Sequence, residues 1–217
     1  MELKHVALVI ADIGGYTRFI RLHKTTLLHA EEIVSQLLES IIARASFPLT
    51  LNKLEGDAAL LYAEMGEKET AAARDIAQQV TAFFSAFHGK ARELSGSRAN
   101  CPCDACQRIL DLRLKAVLHH GEVAIRKIRQ FEELTGEDVI LAHRLLKNSV
   151  SEPEYILMSA SFHRLAGDLA GYQSEKGEET YADLGRIDTV VFSPLPSATR
   201  WPGARTTVCK EIPTSGD

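Results

Sequence analysis

Val6-Ala7-Leu8-Val9-Ile10-Ala11-Asp12-Ile13-Gly14-Gly15-Tyr16-Thr17 is an apolar run that closes on an aspartate, two glycines and a tyrosine. It reads as a buried strand over residues 4–11, because nearly every position is Val, Leu, Ile or Ala. Asp12 then stands where the strand meets a turn. A second segment reverses the arrangement. Lys53-Leu54-Glu55-Gly56-Asp57 leads into the apolar run Ala58–Tyr62, so Asp57 stands where a tight turn meets a strand. If the two strands are neighbours, both carboxylates converge at one edge of a sheet. Paired hard oxygen ligands there suit Mg2+ or Mn2+, metals that commonly work on phosphates. Gly14-Gly15, with a helix start near Tyr16-Thr17, adds backbone N–H groups able to cradle an anion.

Working outward, residues 26–45 read as a helix with Leu27, Ala30, Val34, Leu37, Leu38 and Ile41 on one stripe. Strands are expected at 48–54 and 57–64. A second amphipathic helix is expected at 69–90, with Ile76, Val80, Phe83, Phe84 and Phe87 inward. A polar break spans Glu93 to Asp104. Leu110, Leu112, Leu114, Ala116 and Leu118 then alternate with polar residues, as in a half-buried strand. The spacing predicts a turn at His119-His120-Gly121 into another strand, Glu122–Ile128. A helix over 137–148, a strand over 155–159, and a short helix with a β-meander over 160–193 follow. From Ser193 onward the chain is rich in Pro, Thr and Ser and reads as a tail or strap. The first six elements make an α+β, ferredoxin-like split βαβ core: an antiparallel sheet with helices on one face and the other face open.

The 217 residues suit one domain with elaborations. A net charge of −4 provides no broad positive field for nucleic acid or anionic lipid. Arg126-Lys127 and Arg129 form a local basic cluster that reads first as a solvated strand face. Glu2 and Lys4 interrupt the N-terminal apolar run, so no signal peptide is expected. No apolar stretch approaches the ~20 residues that cross a bilayer. A cytoplasmic location is expected, where cysteines serve as free thiols or metal ligands more often than as disulfides.

With Gly136-Glu137-Asp138-Val139-Ile140-Leu141-Ala142-His143-Arg144-Leu145 and His119-His120-Gly121-Glu122-Val123 added, four segments stand in a meaningful order. Together they resemble the class III adenylyl/guanylyl cyclase catalytic domain, in a divergent branch with a cysteine-containing insert. Each segment is weak singly; the order of all four carries the resemblance, over residues 4–195. It implies a cyclase-like domain at 1–195, an insert loop at 93–107, and a tail at 196–217. It also implies a head-to-tail homodimer that binds ATP or GTP. Asp12 and Asp57 of one protomer would hold two divalent ions. The ribose 3′-hydroxyl would attack the α-phosphorus and release pyrophosphate. From the other protomer, Lys53 and Glu133 would read the purine edge and Arg144 would stabilise transition-state charge. The backbone of Ile13, Gly14, Gly15 and Tyr16 would contact phosphate.

Two positions depart from the pattern. The ribose-orienting asparagine of the family is Ile140 here, and its later phosphate-binding lysine falls at Leu184 before Gly185. Arg186 is a candidate to compensate. Losing an orienting group costs on the order of 10²-fold in rate.

Cys101-Pro102-Cys103-Asp104-Ala105-Cys106 places three thiols within six residues of a polar loop. Thiolates so close could converge on Zn2+, which takes four tetrahedral ligands. Cys209, His88 and His120 are candidates for the fourth; a redox switch and bare surface thiols are the alternatives. His119 reads as a packed turn histidine and His143 as solvated or at a dimer surface, while His5, His23, His29 and His163 carry no argument. Three functions stay open: an active nucleotidyl cyclase, a catalytically silent nucleotide-binding or regulatory homologue, and a metal-clipped interaction module.

Overall fold

Strand β1 (Glu2–Gly14) forms the spine of the molecule, pairing with β3 (Ala58–Glu64) on one side and β4 (Arg113–Ile128) on the other. The computed structural model describes residues 2–16, 19 and 27–195. The seven-strand path runs β2-β3-β1-β4-β6-β8-β7, with β2 at Thr50–Glu55, β6 at Tyr155–Ser159, β7 at Tyr172–Tyr181 and β8 at Gly185–Pro194. An eighth strand, β5 (Phe131–Thr135), pairs with the far end of β4. All pairs are antiparallel except β4–β6. The order β2-β3-β1-β4 is the expected split βαβ core. In place of the expected meander stands a single hairpin, β7 and β8, whose second strand pairs with β6.

Helices α1 (Leu27–Ile42) and α2 (Glu69–Ser97) cover one face. The inward stripe of α1 is Ala30, Ile33, Val34, Leu37, Leu38 and Ile41, spaced three and four apart as a helix requires. They pack with Phe83, Phe84 and Phe87 of α2 against Ala7, Val9, Ala11 and Ile13 of β1. Short helices α3 (Asp104–Gln107) and α5 (Ala160–Ala166) complete this layer through Ala105, Cys106, Phe162 and Ala166.

The other face is not open, contrary to the sequence reading. Helix α4 (Glu137–Leu145) and β5 lie on it. Val6, Leu8 and Ile10 of β1 are buried there with Leu60, Tyr62, Val123, Leu134 and Ala142. A neighbouring cluster joins Val117, Leu141, Leu145, Tyr155 and Leu157. Two-sided cover explains why β1 is an unbroken apolar run rather than an alternating one.

Three further boundaries differ from expectation. Helix α2 continues past residue 90 into the supposed polar break as far as Ser97, because Ala91 and Leu94 extend its buried stripe. No turn occurs at His119–Gly121: β4 runs straight through, its register with β1 unbroken from Arg113 opposite Gly14 to Ile125 opposite Glu2. The reversal comes later, between Ile128 and Phe131, where Arg129 has a positive φ of 56°. Residues 196–217, read as a tail or strap, lie outside the described residues. No helix among the described residues is long and apolar enough to cross a membrane.

Candidate functional site

The hairpin between β2 and β3 brings the two aspartates together. Gly56 turns the chain with φ of +68°, a conformation that favours glycine, and Asp57 follows it. The Ile13 amide donates to the Asp57 carbonyl oxygen at 3.0 Å, tying this turn to the end of β1. Asp12 itself sits between Ala58 and Lys115 in the sheet. Burial, and then the nearby Asp57 carboxylate, push the Asp12 carboxyl up to about 6 against the pull of Lys115. Burial raises Asp57 as well. Two acids held together in this way, one of them largely buried, disfavour each other's ionisation.

The glycine turn is built as expected in part. Gly15 has φ of +93°, and the Phe19 amide donates to the Gly15 carbonyl at 2.9 Å, which starts a helical turn. The Tyr16 hydroxyl donates to Glu31 Oε1 of α1 at 2.9 Å. The Ile13 amide is spent on Asp57, so it is removed from the expected phosphate-facing set, leaving Gly14, Gly15 and Tyr16.

Lys115 was missed. It was read as one of the solvated positions of an alternating strand, yet its row places it opposite Asp12 on one side and Tyr155 on the other. Its amine lies 5.7 Å from the centre of the Tyr155 ring. Knowing the β1–β4 register would have exposed it; composition and periodicity do not.

Lys53 and Glu133 meet as expected, with Nζ 3.8 Å from Oε2, although they lie on different hairpins. Lys53 also approaches Glu55 at 3.3 Å. His143 is half-buried and paired, its Nε2 2.8 Å from Glu55 Oε2. Burial alone would raise the Glu55 carboxyl, but His143 and Lys53 outweigh it and hold it below the usual range. Arg144 is paired with Asp183 at 2.9 Å. Ile140 is 52% exposed on α4. Leu184 packs beside the cluster around Leu145 and Tyr155. Arg186 does not stand free to replace a lysine, because Glu178 at 3.0 Å and Asp188 at 3.3 Å hold it. Among the described residues no hydrogen bond or ion pair joins the Asp12/Asp57 group to Lys53, Glu133 or Arg144 within one chain.

His119 is buried and clamped. Its Nδ1 is 2.8 Å from Ser159 Oγ and its Nε2 is 2.8 Å from Asp138 Oδ1. The Glu122 amide donates to Asp138 Oδ2 at 2.6 Å. Ser159 also accepts from the Phe162 amide as the cap of α5 and is 2% exposed, so its hydroxyl is a structural link rather than a nucleophile. A Cβ on Gly121 would collide with the Asp138 carboxylate. The glycine is there for this close approach of α4, not for a turn.

The cysteine loop folds back on α1. Cys101, Cys103 and Cys106 surround Nδ1 of His29, and all four ligand atoms lie within 4.8 Å of one another. His29, to which the sequence reading assigned nothing, is therefore the histidine at this cluster. His88 is instead paired with Glu154 at 2.7 Å, and His120 stacks on His5 near Glu69. Cys209 lies outside the described residues.

Residues 34–155 match the family described as "Protein of unknown function (DUF2652)". The chain is 39% identical over 126 residues to the "Uncharacterized protein Rv2561/Rv2562" of Mycobacterium tuberculosis, over 58% of this chain and 57% of that one. It thus spans little more than half the length of that relative. Among solved structures, the adenylyl cyclase CyaB from P. aeruginosa superposes with a TM-score of 0.66 and 16% identity, over 89% of this chain and 96% of that one. The guanylyl cyclase Cya2 gives 0.64 and 13%, over 92% and 96%. The guanylate cyclase domain of RhGC from Catenaria anguillulae, solved in complex with GTP, gives 0.61 and 14%, over 89% and 99%. The fold is that of class III nucleotidyl cyclase catalytic domains.

Proposed function

We propose that this chain, which belongs to the DUF2652 family, binds a divalent cation together with a purine nucleoside triphosphate and cyclises that nucleotide slowly at best. One observation carries the reading: Asp12 and Asp57 are forced together at a half-buried edge, with Asp12 raised to about 6. A cation there relieves both the burial cost and the mutual repulsion, and two carboxylates are the donors Mg2+ or Mn2+ prefers.

A bound cation of this kind would supply Lewis-acid polarisation of phosphate oxygens and make a coordinated hydroxyl more acidic. The chain's own groups do the rest. Asp12 and Asp57 hold the positive charge, and Asp12 must be deprotonated to do so. Gly14, Gly15 and Tyr16 offer backbone N–H groups to anionic oxygens, and Gly15 gives the turn its shape. Lys115, across the strand from Asp12, adds a positive charge for the triphosphate. Lys53 and Glu133, 3.8 Å apart, present a donor and an acceptor suited to a purine edge.

In the fold-level relatives this chemistry is called cyclase activity. For this chain it is carried over with the loss at Ile140, which cannot hydrogen-bond a ribose hydroxyl. Because among the described residues no hydrogen bond or ion pair links Lys53 or Arg144 to the aspartates, a head-to-tail pair of copies is the arrangement that would complete the site. Arg144 would have to leave Asp183 to join it.

The test titrates the full chain with ATP and with GTP, with and without Mn2+, by calorimetry. Mass spectrometry of the same mixtures looks for cyclic nucleotide. Mn2+-dependent binding that disappears in Asp57→Ala, with the variant still folded, supports the proposal. Nucleotide affinity indifferent to Mn2+ or to Asp57 would sink it.

A further inference from the structure

We propose that His29, Cys101, Cys103 and Cys106 form a closed structural zinc site that staples the start of α1 to the end of α2. Four of the ligand-to-ligand distances match the edges of a tetrahedral zinc shell, and all four ligand atoms lie within 4.8 Å of one another. His29 Nδ1 lies 3.4 Å from Cys103 Sγ, 3.7 Å from Cys101 Sγ and 3.8 Å from Cys106 Sγ. Cys101 and Cys103 sulfurs are 3.5 Å apart. With Zn–S bonds of ~2.3 Å and Zn–N bonds of ~2.0 Å, tetrahedral geometry places S···S edges at ~3.8 Å and N···S edges at ~3.5 Å. A disulfide between Cys101 and Cys103 would need ~2.05 Å, and the three sulfurs share the histidine rather than pairing off.

The ligand chemistry selects the metal class. Three thiolates and one imidazole are soft and borderline donors that favour Zn2+ over Mg2+, Ca2+ or Mn2+. Four protein ligands fill a tetrahedral shell and leave no position for water, which marks a structural rather than a catalytic ion. Binding converts the thiols that are protonated to thiolates and releases those protons to solvent.

The surroundings of the sulfurs fit the same reading. Cys103 caps α3, its sulfur accepting from the Cys106 amide at 3.5 Å, as the Cys-x-x-Cys spacing allows. Arg98 lies beside the Cys106 sulfur and pairs with Glu32 of α1 at 2.7 Å. Zn2+ with three thiolates carries one net negative charge, and the Arg98 guanidinium faces it. Outer partners of this kind orient ligands and hold their charge.

The staple has a structural consequence. His29, Glu31 and Glu32 share one turn of α1; Glu31 receives the Tyr16 hydroxyl from the glycine turn beyond Asp12. The ion would therefore fix the helix turn on which Tyr16 rests. Zinc binding is independent of whether the aspartate pair takes a nucleotide, so failure of either leaves the other standing.

The experiment purifies the full chain without added metal, measures its zinc by elemental analysis, and replaces zinc with Co2+ for visible spectroscopy. About one zinc per chain and cobalt d–d bands of tetrahedral thiolate type are expected. Chelation should lower the melting temperature and added Zn2+ should restore it. Cys103→Ser and His29→Ala should weaken zinc by more than the ~10–100-fold that loss of an outer partner costs. His29→Cys should retain zinc and stability while shifting the cobalt spectrum, which separates ligand loss from misfolding. Cys209→Ser should change nothing. A metal-free wild type unmoved by Zn2+, a site filled only by iron, or His29→Ala with wild-type zinc affinity would each overturn the proposal.

Discussion

Lys115 stands directly opposite Asp12 in the antiparallel β1–β4 pair, and Asp12 is nevertheless raised to about 6. An aspartate beside an ammonium ordinarily falls below ~3.9. Here burial and the second carboxylate, Asp57, outweigh the lysine. The site holds more negative charge than the chain neutralises. Asp12→Asn removes that charge while keeping the shape. A folded pKa above the unfolded one means the native state keeps a proton that the unfolded state gives up. Stability contributed by Asp12 therefore falls as pH rises from ~4 to ~6, and the full penalty is present at neutral pH. Its size is on the order of 1–2 kcal/mol once partial solvent access is allowed for. Without divalent metal at pH 7, Asp12→Asn should melt ~2–8 °C higher than wild type, and Mn2+ should no longer raise its melting temperature. A variant that melts lower, or still responds to Mn2+, removes the strained-pair account.

The same shift predicts how cation binding depends on pH. Mn2+ competes with the proton on Asp12, so affinity should rise about tenfold per pH unit below ~6 and flatten above it. Titrations of Mn2+ from pH 5 to pH 8 check this. A flat profile between pH 5 and 6.5 would show that Asp12 is already ionised there.

How far the sequence disclosed this site depends on what each residue's environment leaves in the local pattern. The strand that carries Asp12 and the one that follows Asp57 were legible because apolar runs bounded by glycine turns are local signals, and β6 emerged at residues 155–159 as another apolar run. His119-His120-Gly121 misled because glycine normally marks a turn; its real cause is Asp138, a residue 17 positions later in the chain. The second face read as open because α4 was recognised as a helix without any signal for where it packs. Lys115 and His29 were invisible for one reason: each becomes meaningful only through a partner far along the chain, Asp12 in one case and Cys103 in the other.

Gly121 offers a direct test of that long-range cause. The Asp138 carboxyl is held below its usual range, chiefly by the His119 hydrogen bond, and it occupies the space a Cβ on residue 121 would need. Gly121→Ala should cost about 1–3 kcal/mol by overpacking. Asp138→Ala alone should cost a similar amount, because His119 and the Glu122 amide lose their partner. The double variant should be less destabilised than the sum by ~0.5–3 kcal/mol, since the clash is gone. Urea denaturation of the four proteins measures the cycle. Strict additivity would place the cost of Gly121→Ala in β4 itself.

Ile140 is where the proposed chemistry can be restored. It is 52% exposed on α4, so Ile140→Asn should change stability by no more than ~0.5 kcal/mol. An asparagine there could hydrogen-bond a ribose hydroxyl that isoleucine can only touch. If alignment of the nucleophile limits turnover, the variant should form cyclic nucleotide from ATP or GTP with Mn2+ on the order of 10–100-fold faster than wild type. Nucleotide affinity should change far less than turnover, because orientation acts on the transition state more than on the bound ground state. Mass spectrometry of product against time, beside calorimetric affinities, separates the two. Unchanged nucleotide affinity with no gain in product would mean that ribose alignment is not the limiting loss, and the Arg144–Asp183 pair at 2.9 Å would be the next barrier, since it keeps the arginine from the developing charge.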